Sequence, residues 1–298
     1  MSQEKVIGFI EFQKKFSSEE LCLKYLFGKR FPNGFICPIC GCRECYQIAS
    51  RSLYQCKECR HQTSAMSGTI MHRSHLTLTV WFWAIYLVSK DKRGYSAAQL
   101  AKELDLSYKT SWYLLHRIRS AMSQQESKYY LSGIVELDDT YFGTAGRGGK
   151  RGRGTSKTKV VVAVSKTVEG KPKSIKMQVV SNLKGRTIRR FATEKVLPGT
   201  TIETDAFHSY RKPLSENFIH DFKVFDPAAG TLRWLHTMIG NAKAFVTGTF
   251  HGLDGKCLQC YLDEFCYRFN RRYQNDIFSC LLNAVANSSP FNLAELKG

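Results

Sequence analysis

The sequence predicts an α/β fold in which a mixed five-stranded sheet with helices follows a small cysteine-rich ribbon and a helical domain. Three observations support this prediction. Two C-x-x-C pairs lie between residues 37 and 59, apolar residues at helical spacing prevail as far as about residue 125, and β-branched runs begin after Gly133. The change of periodicity at Gly133 therefore separates a helical part of the chain from a sheet-forming part.

The charge balance indicates a polyanionic partner. The 298 residues include 44 Lys and Arg against 25 Asp and Glu, which gives a formal net charge of +19. Such an excess is typical of proteins that bind nucleic acid. The length suits two or three domains. The most apolar stretch, residues 80–88, is far too short to span a bilayer, so we expect no membrane partner.

The cysteines bear on the cellular compartment. No secretory signal is visible near the N-terminus, and the eleven cysteines are odd in number and unevenly placed. We therefore expect reduced thiols and metal ligands instead of a disulfide framework. This pattern predicts a cytoplasmic protein.

Residues 1–33 are predicted to form an N-terminal helical segment, with a single helical run from about residue 9 to 31, and residues 34–66 a zinc ribbon. Two C-x-x-C knuckles, fifteen residues apart, supply four ligands: Cys37, Cys40, Cys56 and Cys59. Four thiolates close a tetrahedral site and leave no open position, so the zinc would be structural.

Other cysteines leave alternatives open. Cys42 and Cys45 lie inside the ribbon loop and are competing candidates for zinc ligation. Cys257 and Cys260 form a third C-x-x-C pair, but no matching knuckle lies nearby in the sequence. We interpret that third pair as two cysteines that pack within a helix.

Residues 67–125 are predicted to form a helical, helix-turn-helix-like DNA-binding domain. Residues 96–107 fit a helix followed by a tight turn, and residues 108–119 fit the second helix. Lys109 and Arg117 on this second helix are candidate DNA-binding residues. The alternative is a plain helical hairpin, but a zinc ribbon just upstream favours DNA binding.

Residues 131–285 contain five predicted strands. Three consecutive strands begin at Ile134, Val160 and Ile175. A helix follows, then a strand that ends at Asp205, and then a short strand at residues 222–225. This order is that of an RNase H-like sheet, in which the first and fourth strands are neighbours.

The first and fourth strands both lead into aspartate. Asp138 and Asp205 would then meet at one sheet edge, although 67 positions separate them. Two adjacent carboxylates repel unless a cation lies between them, which predicts a hard divalent ion, Mg²⁺ or Mn²⁺. A helix after the last strand offers Asn241 as a weaker, neutral ligand. On so basic a chain the substrate of this metal would be a phosphodiester.

Several longer motifs carry a family resemblance. They are the two knuckles, Ser67–Ile70, Trp81–Tyr86, Val135–Gly143, Thr204-Asp205 with Tyr210, Asn241–Lys243, Gly248–Gly252 and Tyr261–Arg272. In these motifs the chain resembles the ISXO-like insertion-sequence transposases, which carry a zinc ribbon followed by a DDE-type RNase H-like catalytic domain. The resemblance covers nearly the whole chain and assigns residues 131–285 to the catalytic domain. It also implies a cytoplasmic protein that is associated with the nucleoid of a bacterial cell.

The resemblance implies that Asp138, Asp205 and Asn241 are the catalytic, metal-binding triad. Asp139 stands where family members commonly have Glu, and a Cys stands at position 257 where His is common. The rivals of Asn241 are Asp263 and Glu264, on a later helix whose arginines are alternative partners for these acids.

Further DNA-binding candidates lie in the catalytic part. Lys243 or Lys256 would contact a phosphate. His251 would orient the scissile phosphate or a water, and the alternative for this glycine-flanked histidine is a structural role. Arg151 and Arg153 belong to a run, residues 147–159, with six basic residues and no acids. That run would grip DNA or form a solvated loop, and we favour DNA.

These observations predict a DNA transposase that binds terminal inverted repeats and target DNA, cuts the DNA at the ends of the element and joins the ends to the target. One alternative is a regulator with a zinc ribbon and a helix-turn-helix whose nuclease-like domain has lost activity. Another is a structure-selective nuclease of the same fold that cuts without joining. Because two ends must be joined together, we expect a homo-oligomer.

Overall fold

The computed structural model describes residues 7–143, 157–224, 226, 230–250, 253 and 255–291. The chain divides into two compact units, residues 1–124 with 274–293 and residues 125–273 with 294–298. Within the described ranges, every helix is too short or too polar to cross a membrane.

The first unit combines helices with a small three-stranded sheet. The helices are α1 (Phe9–Lys15), α2 (Glu19–Arg30), α3 (Leu78–Lys90), α4 (Ala97–Glu103), α5 (Tyr108–Glu126, whose last residues belong to the second unit) and α10 (Ile277–Ala286). The strands β1 (Cys45–Ile48), β2 (Leu53–Cys56) and β3 (Gln62–Thr63) pair antiparallel in this order. The ribbon thus lies between α2 and α3 in the chain.

The core of the first unit is aromatic. Phe12 stacks on Tyr86 with ring centroids 4.1 Å apart and meets Phe278 edge-on at 5.3 Å. Such contacts stabilise beyond the burial of area. The helix predicted over residues 9–31 is in fact two helices, because Ser18 Oγ accepts the Leu21 N–H at 3.3 Å and starts a new helix there.

The second unit is a five-stranded sheet with helices on both faces. Its elements are β4 (Ile134–Phe142), β5 (Thr158–Lys166), β6 (Pro172–Val180), α6 (Gly185–Lys195), β7 (Thr201–Asp205), α7 (His208–Ser215), β8 (Ile219–Lys223), α8 (Arg233–Thr249) and α9 (Leu258–Asn270). The strand order is β6-β5-β4-β7-β8. Strands β4, β5 and β6 pair antiparallel, whereas β7 pairs parallel to both β4 and β8. This topology confirms the predicted RNase H-like fold.

Alternation along the strands divides the core into two layers. Val160, Val162 and Val164 of β5 face a cluster with α8 and α9, whereas Val161 and Ala163 face a cluster with α6 and α7. Both layers are apolar, which explains why β5 has a nearly continuous β-branched run. The last strand, predicted at residues 222–225, begins earlier, at Ile219.

Candidate active site and metal centres

Asp138 and Asp205 are brought side by side by the register of β4 and β7. Glu136 is the parallel partner of Glu203, and each aspartate follows two residues later on its own strand. Side chains two residues apart share a face, so both aspartates belong to the face covered by α8. The predicted adjacency of the first and fourth strands is confirmed. Since β7 ends at Asp205, the pair lies at the carboxyl end of that strand.

A buried tyrosine ties the aspartates of β4 together. The hydroxyl oxygen of Tyr210, on α7, lies 3.2 Å from Asp138 Oδ1 and 2.7 Å from Asp139 Oδ1. Its ring is fully buried among the residues of the α6–α7 layer. Asp138 Oδ1 also accepts the backbone N–H of Asp139 at 2.7 Å. The orientation of the Asp138 carboxyl group is therefore set by two donors before any ligand arrives.

Asp205 is oriented by its own loop. Its Oδ1 accepts the N–H of Phe207 at 3.0 Å, which is an Asx-type turn leading into α7. The turn couples the end of β7 to the helix that carries Tyr210. Both carboxylates of the candidate pair are thus held by the β7–α7 connection, one directly and one through Tyr210.

The electrostatics of this corner disfavour negative charge. Burial, followed by repulsion from the nearby Asp139 and Asp205, raises the pKa of Asp138 to about 7, although hydrogen bonds from Asp139 N–H and Tyr210 act against this. Burial and the same carboxylates raise the pKa of Tyr210 well above its ordinary value. Buried carboxyl groups that repel one another in this way fit the binding of a cation, because a cation would relieve the repulsion.

Glu136 connects the sheet to α8. It is buried, its Oε2 accepts the backbone N–H of Leu235 at 2.8 Å, and its Oε1 lies 3.4 Å from Lys166 Nζ. Lys166 also contacts Glu203 at 2.5 Å. Helix α8 has Leu232 at its N-cap, with no side-chain hydrogen bond of its own there. Glu136, which lies on β4 about 100 positions earlier in the chain, thus supplies the acceptor that an N-cap side chain of α8 would otherwise provide.

Helix α8 carries the predicted third ligand and a histidine that sequence reasoning missed. Asn241 is exposed, beside the buried Ala242, and its role as a metal ligand stays a prediction. His236 lies in the first two turns. Burial lowers the pKa of His236, while Glu136 and Asp205 attract its charged form and oppose that shift. His236 is therefore within electrostatic reach of Asp205. Its position five residues before Asn241 was the available sequence signal.

The rival acids on α9 already have protein partners. Glu264 is buried and accepts the Arg268 guanidinium at 2.7 Å. Asp263 Oδ1 accepts the amide of Gln259 at 2.8 Å. Lys243, in contrast, is on α8 with Asn241, and its ammonium lies 5.9 Å from the ring centroid of Phe142. Burial, then repulsion from Lys157, lowers the pKa of Lys243.

The four predicted zinc ligands converge. The sulfur atoms of Cys37, Cys40, Cys56 and Cys59 all lie within 4.8 Å of one another. Cys37 Sγ is 3.5 Å from Cys59 Sγ, and Cys40 Sγ is 3.5 Å from Cys56 Sγ. Among the described residues, the group that could hold a metal contains neither Cys42 nor Cys45. Cys42 Sγ accepts the N–H of Glu44 at 3.4 Å. Four convergent thiols fit a tetrahedral, closed metal site.

Two of the four thiols, those of Cys37 and Cys56, have lowered pKa values. Although backbone hydrogen bonds act to lower the pKa values of Cys40 and Cys59, burial and hydrogen bonds with the other thiols of the cluster raise them. Burial acts to raise the pKa of Cys56, but hydrogen bonds from the Cys59 backbone and the Cys40 thiol outweigh it and lower the pKa to about 6. The pKa of Cys37 is lowered, chiefly by the backbone N–H of Cys40. Each knuckle turns through a left-handed residue, Gly41 at φ 74° and Arg60 at φ 60°. Backbone N–H groups therefore point at the sulfur atoms, as metal-bound thiolates require.

The helix-turn-helix candidate forms two capped helices. Ser96 Oγ accepts the Gln99 N–H and Ser107 Oγ accepts the Thr110 N–H, both at 3.1 Å, so α4 and α5 start where the sequence predicts. Asp105 makes the turn at φ 51°. Lys109 is exposed near the start of α5.

The guanidinium group of Arg117 forms hydrogen bonds within the protein. It donates to the carbonyl oxygens of Ile70 and His72 at 3.4 and 3.3 Å, and burial lowers its pKa. Three other predicted DNA contacts, Arg151, Arg153 and His251, lie outside the described residues. Their assignment stays a prediction.

Together, the fold and the two sites define a class of protein. It has an RNase H-like domain with paired aspartates at a strand end, and a four-cysteine ribbon precedes this domain in the chain. Comparison with known families agrees with both parts. Residues 130–270 match the model of the ISXO2-like transposase domain, and residues 17–62 match the transposase zinc-ribbon domain. In both parts, residues 17–62 and 130–270, the chain is similar to the ISXO-like insertion-sequence transposases.

Individual relatives are more distant. A protein of Halobacterium salinarum, described as an uncharacterized protein in transposable element ISH50, is 28% identical over 222 residues, which are 68% of this chain and 72% of that protein. Among solved structures, the Mos1 strand transfer complex matches 71% of this chain and 78% of its own with 12% identity and a TM-score of 0.30. The Mos1 paired-end complex with left transposon end matches 70% and 79%, with 10% identity and a TM-score of 0.23.

Proposed function

We propose that the protein is the DNA transposase of an insertion sequence, which binds terminal inverted repeats and catalyses metal-dependent DNA cleavage and strand transfer. The observation that carries the proposal is the β4–β7 register, which aligns Asp138 with Asp205 on the face covered by α8. The family and the net charge of +19 support a DNA substrate.

Asp138, Asp205 and Asn241 would hold Mg²⁺ or Mn²⁺ as the catalytic cofactor. When bound, the metal would supply Lewis-acid stabilisation of charge on the attacking and leaving oxygens of an in-line displacement at phosphorus. Asp138 and Asp205 would contribute carboxylate oxygens, and Asn241 would contribute a neutral amide oxygen. Tyr210 would keep the Asp138 carboxyl in place, and Glu136 would fix the start of the helix that carries Asn241.

The remaining residues would bind DNA. Lys243, on the same helix as Asn241, would neutralise a phosphate beside the carboxylates, and His251 with the run that holds Arg151 and Arg153 would extend this contact. Lys109 is exposed at the start of α5, where a second helix of a helix-turn-helix meets the major groove. The four cysteines would hold structural zinc, which shapes the ribbon and takes no part in the chemistry.

A strand-transfer assay on terminal-repeat DNA tests this proposal. Wild type with Mg²⁺ or Mn²⁺ should produce both cut ends and joined products. Asp205→Ala should reduce both by at least about 10³-fold while DNA binding persists. Glu169→Ala, in the exposed β5–β6 turn, is the matched control and should behave as wild type.

The same assay separates the alternatives. Cutting without joining by wild type would identify a nuclease, and DNA binding with no product from either wild type or Asp205→Ala would identify a regulator. Either result would overturn the transposase proposal.

A further inference from the structure

In the described part of the chain, the two edge strands of the five-stranded sheet, β6 and β8, differ in whether their outward-facing backbone groups are hydrogen-bonded. At the β6 edge, the side chains of α9 occupy the backbone groups that face outwards. Gln259 accepts the Val179 N–H at 2.7 Å and donates to the Met177 carbonyl at 3.1 Å. Asn270 accepts the Ile175 N–H at 2.8 Å and donates to the carbonyl of the same residue at 3.1 Å. Two amide side chains thus imitate a neighbouring strand and block further pairing.

The β8 edge has no such cover among the described residues. Ile219 donates its N–H to Thr200, which lies just before β7, so the backbone groups of Ile219, Asp221 and Lys223 face inwards. Those of His220 and Phe222 therefore face outwards. Three apolar side chains there are exposed: Phe222 is 44% exposed, Ile219 62% and Val224 79%. An edge strand with open backbone groups and exposed apolar side chains is a template for pairing with another strand.

We propose that β8 pairs antiparallel with β8 of a second copy of this chain, centred on Phe222. In this register Phe222 lies opposite its own counterpart, and His220 lies opposite Val224 of the partner copy. His220 and Phe222 have outward-facing backbone groups, so both can form hydrogen bonds with the partner strand. The two sheets would then continue as one sheet across a two-fold axis.

Charge selects this register over its neighbours. Centred on Phe222, the pairing sets Asp221 of each copy opposite Lys223 of the other, on the face that carries Asp205. Centring one residue earlier sets Asp221 opposite itself, and centring one residue later sets Lys223 opposite itself. Like charges directly opposite each other destabilise a strand pair, whereas opposite charges stabilise it. Of these three registers, only the one centred on Phe222 places opposite charges against each other.

The pairing would place two candidate active sites on one face of a continuous sheet. Asp205 lies one strand in from the edge, in line with Lys223. Three strand spacings and an offset of two residues put the two Asp205 Cα atoms roughly 16 Å apart. Because the two-fold axis is perpendicular to the sheet, both sites open to the same side, as joint action on two DNA strands requires.

Charge variants test the register by sedimentation of the full-length, zinc-loaded protein without DNA or Mg²⁺. Wild type should dimerise. Asp221→Lys and Lys223→Asp should each weaken dimerisation roughly tenfold, because each creates two like-charged pairs. The double variant Asp221→Lys/Lys223→Asp should recover the wild-type value. An equimolar mixture of the two single variants should form heterodimers, because opposite charges then face each other between copies.

The equimolar mixture distinguishes pairing between copies from a contact within one copy. Asp221 and Lys223 also contact each other within one strand at 3.5 Å, and both single variants break that contact. In the mixture, the Asp221–Lys223 contact within each strand stays broken. Formation of heterodimers there would therefore show that the charges pair between copies. A wild-type protein that stays monomeric at every concentration, or single variants that dimerise as well as wild type, would overturn the proposal.

A cross-link gives an independent readout. Phe222→Cys should form a disulfide between copies, because the Cα atoms of a hydrogen-bonded antiparallel pair lie about 5.5 Å apart. Val224→Cys is the matched control. Its two copies would lie roughly 14 Å apart, beyond disulfide reach, so no bond at 224 should appear in peptide mapping.

Equal cross-linking at both positions would contradict the register. Dimerisation and strand transfer are measured separately, so a monomeric but active protein refutes this pairing alone, and a dimeric but inactive protein refutes the proposed function alone.

Discussion

Tyr210 is the residue whose role is best isolated by a small change. Tyr210→Phe removes the hydroxyl that contacts Asp138 and Asp139 and leaves the buried ring in place. Loss of a group that orients a metal ligand typically costs 10–100-fold in metal affinity or activity. We expect the Mg²⁺ concentration for half-maximal strand transfer to rise by about that factor, with an unchanged melting temperature. Tyr130→Phe, on an exposed ring, should change neither quantity. A variant with wild-type Mg²⁺ dependence would exclude the positioning role.

The raised pKa of Asp138 predicts how pH and Mg²⁺ act together on stability. The folded protein holds this proton up to a pKa of about 7, whereas an unfolded aspartate releases it near its ordinary value of 3.8. Between these values the folded state binds more protons than the unfolded state, so the contribution of Asp138 to stability falls as pH rises from about 4 to 7.

A divalent cation should compensate where the carboxyl is ionised. We therefore expect Mg²⁺ to raise the melting temperature by more at pH 8 than at pH 6, measured by calorimetry of the zinc-loaded protein. Asp138→Asn cannot ionise at this position and should remove the difference. An equal effect of Mg²⁺ at both pH values in wild type would contradict the assignment of Asp138 as a ligand.

At the scale of elements, the attachment of α8 to β4 depends on Glu136. Glu136→Ala leaves the Leu235 N–H without its acceptor and removes one of two acids around Lys166, in a buried setting. We expect a loss of about 2–4 kcal/mol in the free energy of unfolding, measured with urea. Glu216→Ala breaks an exposed ion pair with Arg189 and should cost at most about 1 kcal/mol. Comparable losses for the two variants would argue against a special role of Glu136.

The contact between Glu136 and α8 is an example of a feature that could not be predicted from the sequence. The β-branched runs and the aspartates at their ends predicted the strand order and the Asp138–Asp205 pair, because both follow from local periodicity and a known topology. The roles of Glu136 and Gln259 were not predictable in the same way. Each acts on an element about 80 to 100 positions away, and only the folded register of strands and helices brings the partners together. The two-helix start of the chain was missed for a local reason, the weak capping signal of Ser18.

At the scale of the whole molecule, the excess of positive charge makes DNA binding depend on salt. A protein that neutralises phosphates releases condensed counterions, so the logarithm of the binding constant falls linearly with the logarithm of the salt concentration, by about 0.9 per phosphate contact. With a net charge of +19, we expect a steep dependence for duplex DNA of any sequence. Fluorescence anisotropy over a range of salt concentrations measures it.

Two single-lysine variants distinguish the proposed DNA contact of Lys109 from an effect of net charge. Lys109→Ala should reduce the salt slope by about one, since Lys109 is exposed at the start of α5 where a phosphate contact is proposed. Lys171→Ala removes the same charge from the exposed turn between β5 and β6 and should leave the slope unchanged. If both variants lowered the slope equally, the interaction would be set by net charge alone. A difference between them would show that the helix-turn-helix face contacts the DNA backbone, because counterion release counts only the phosphates that are neutralised.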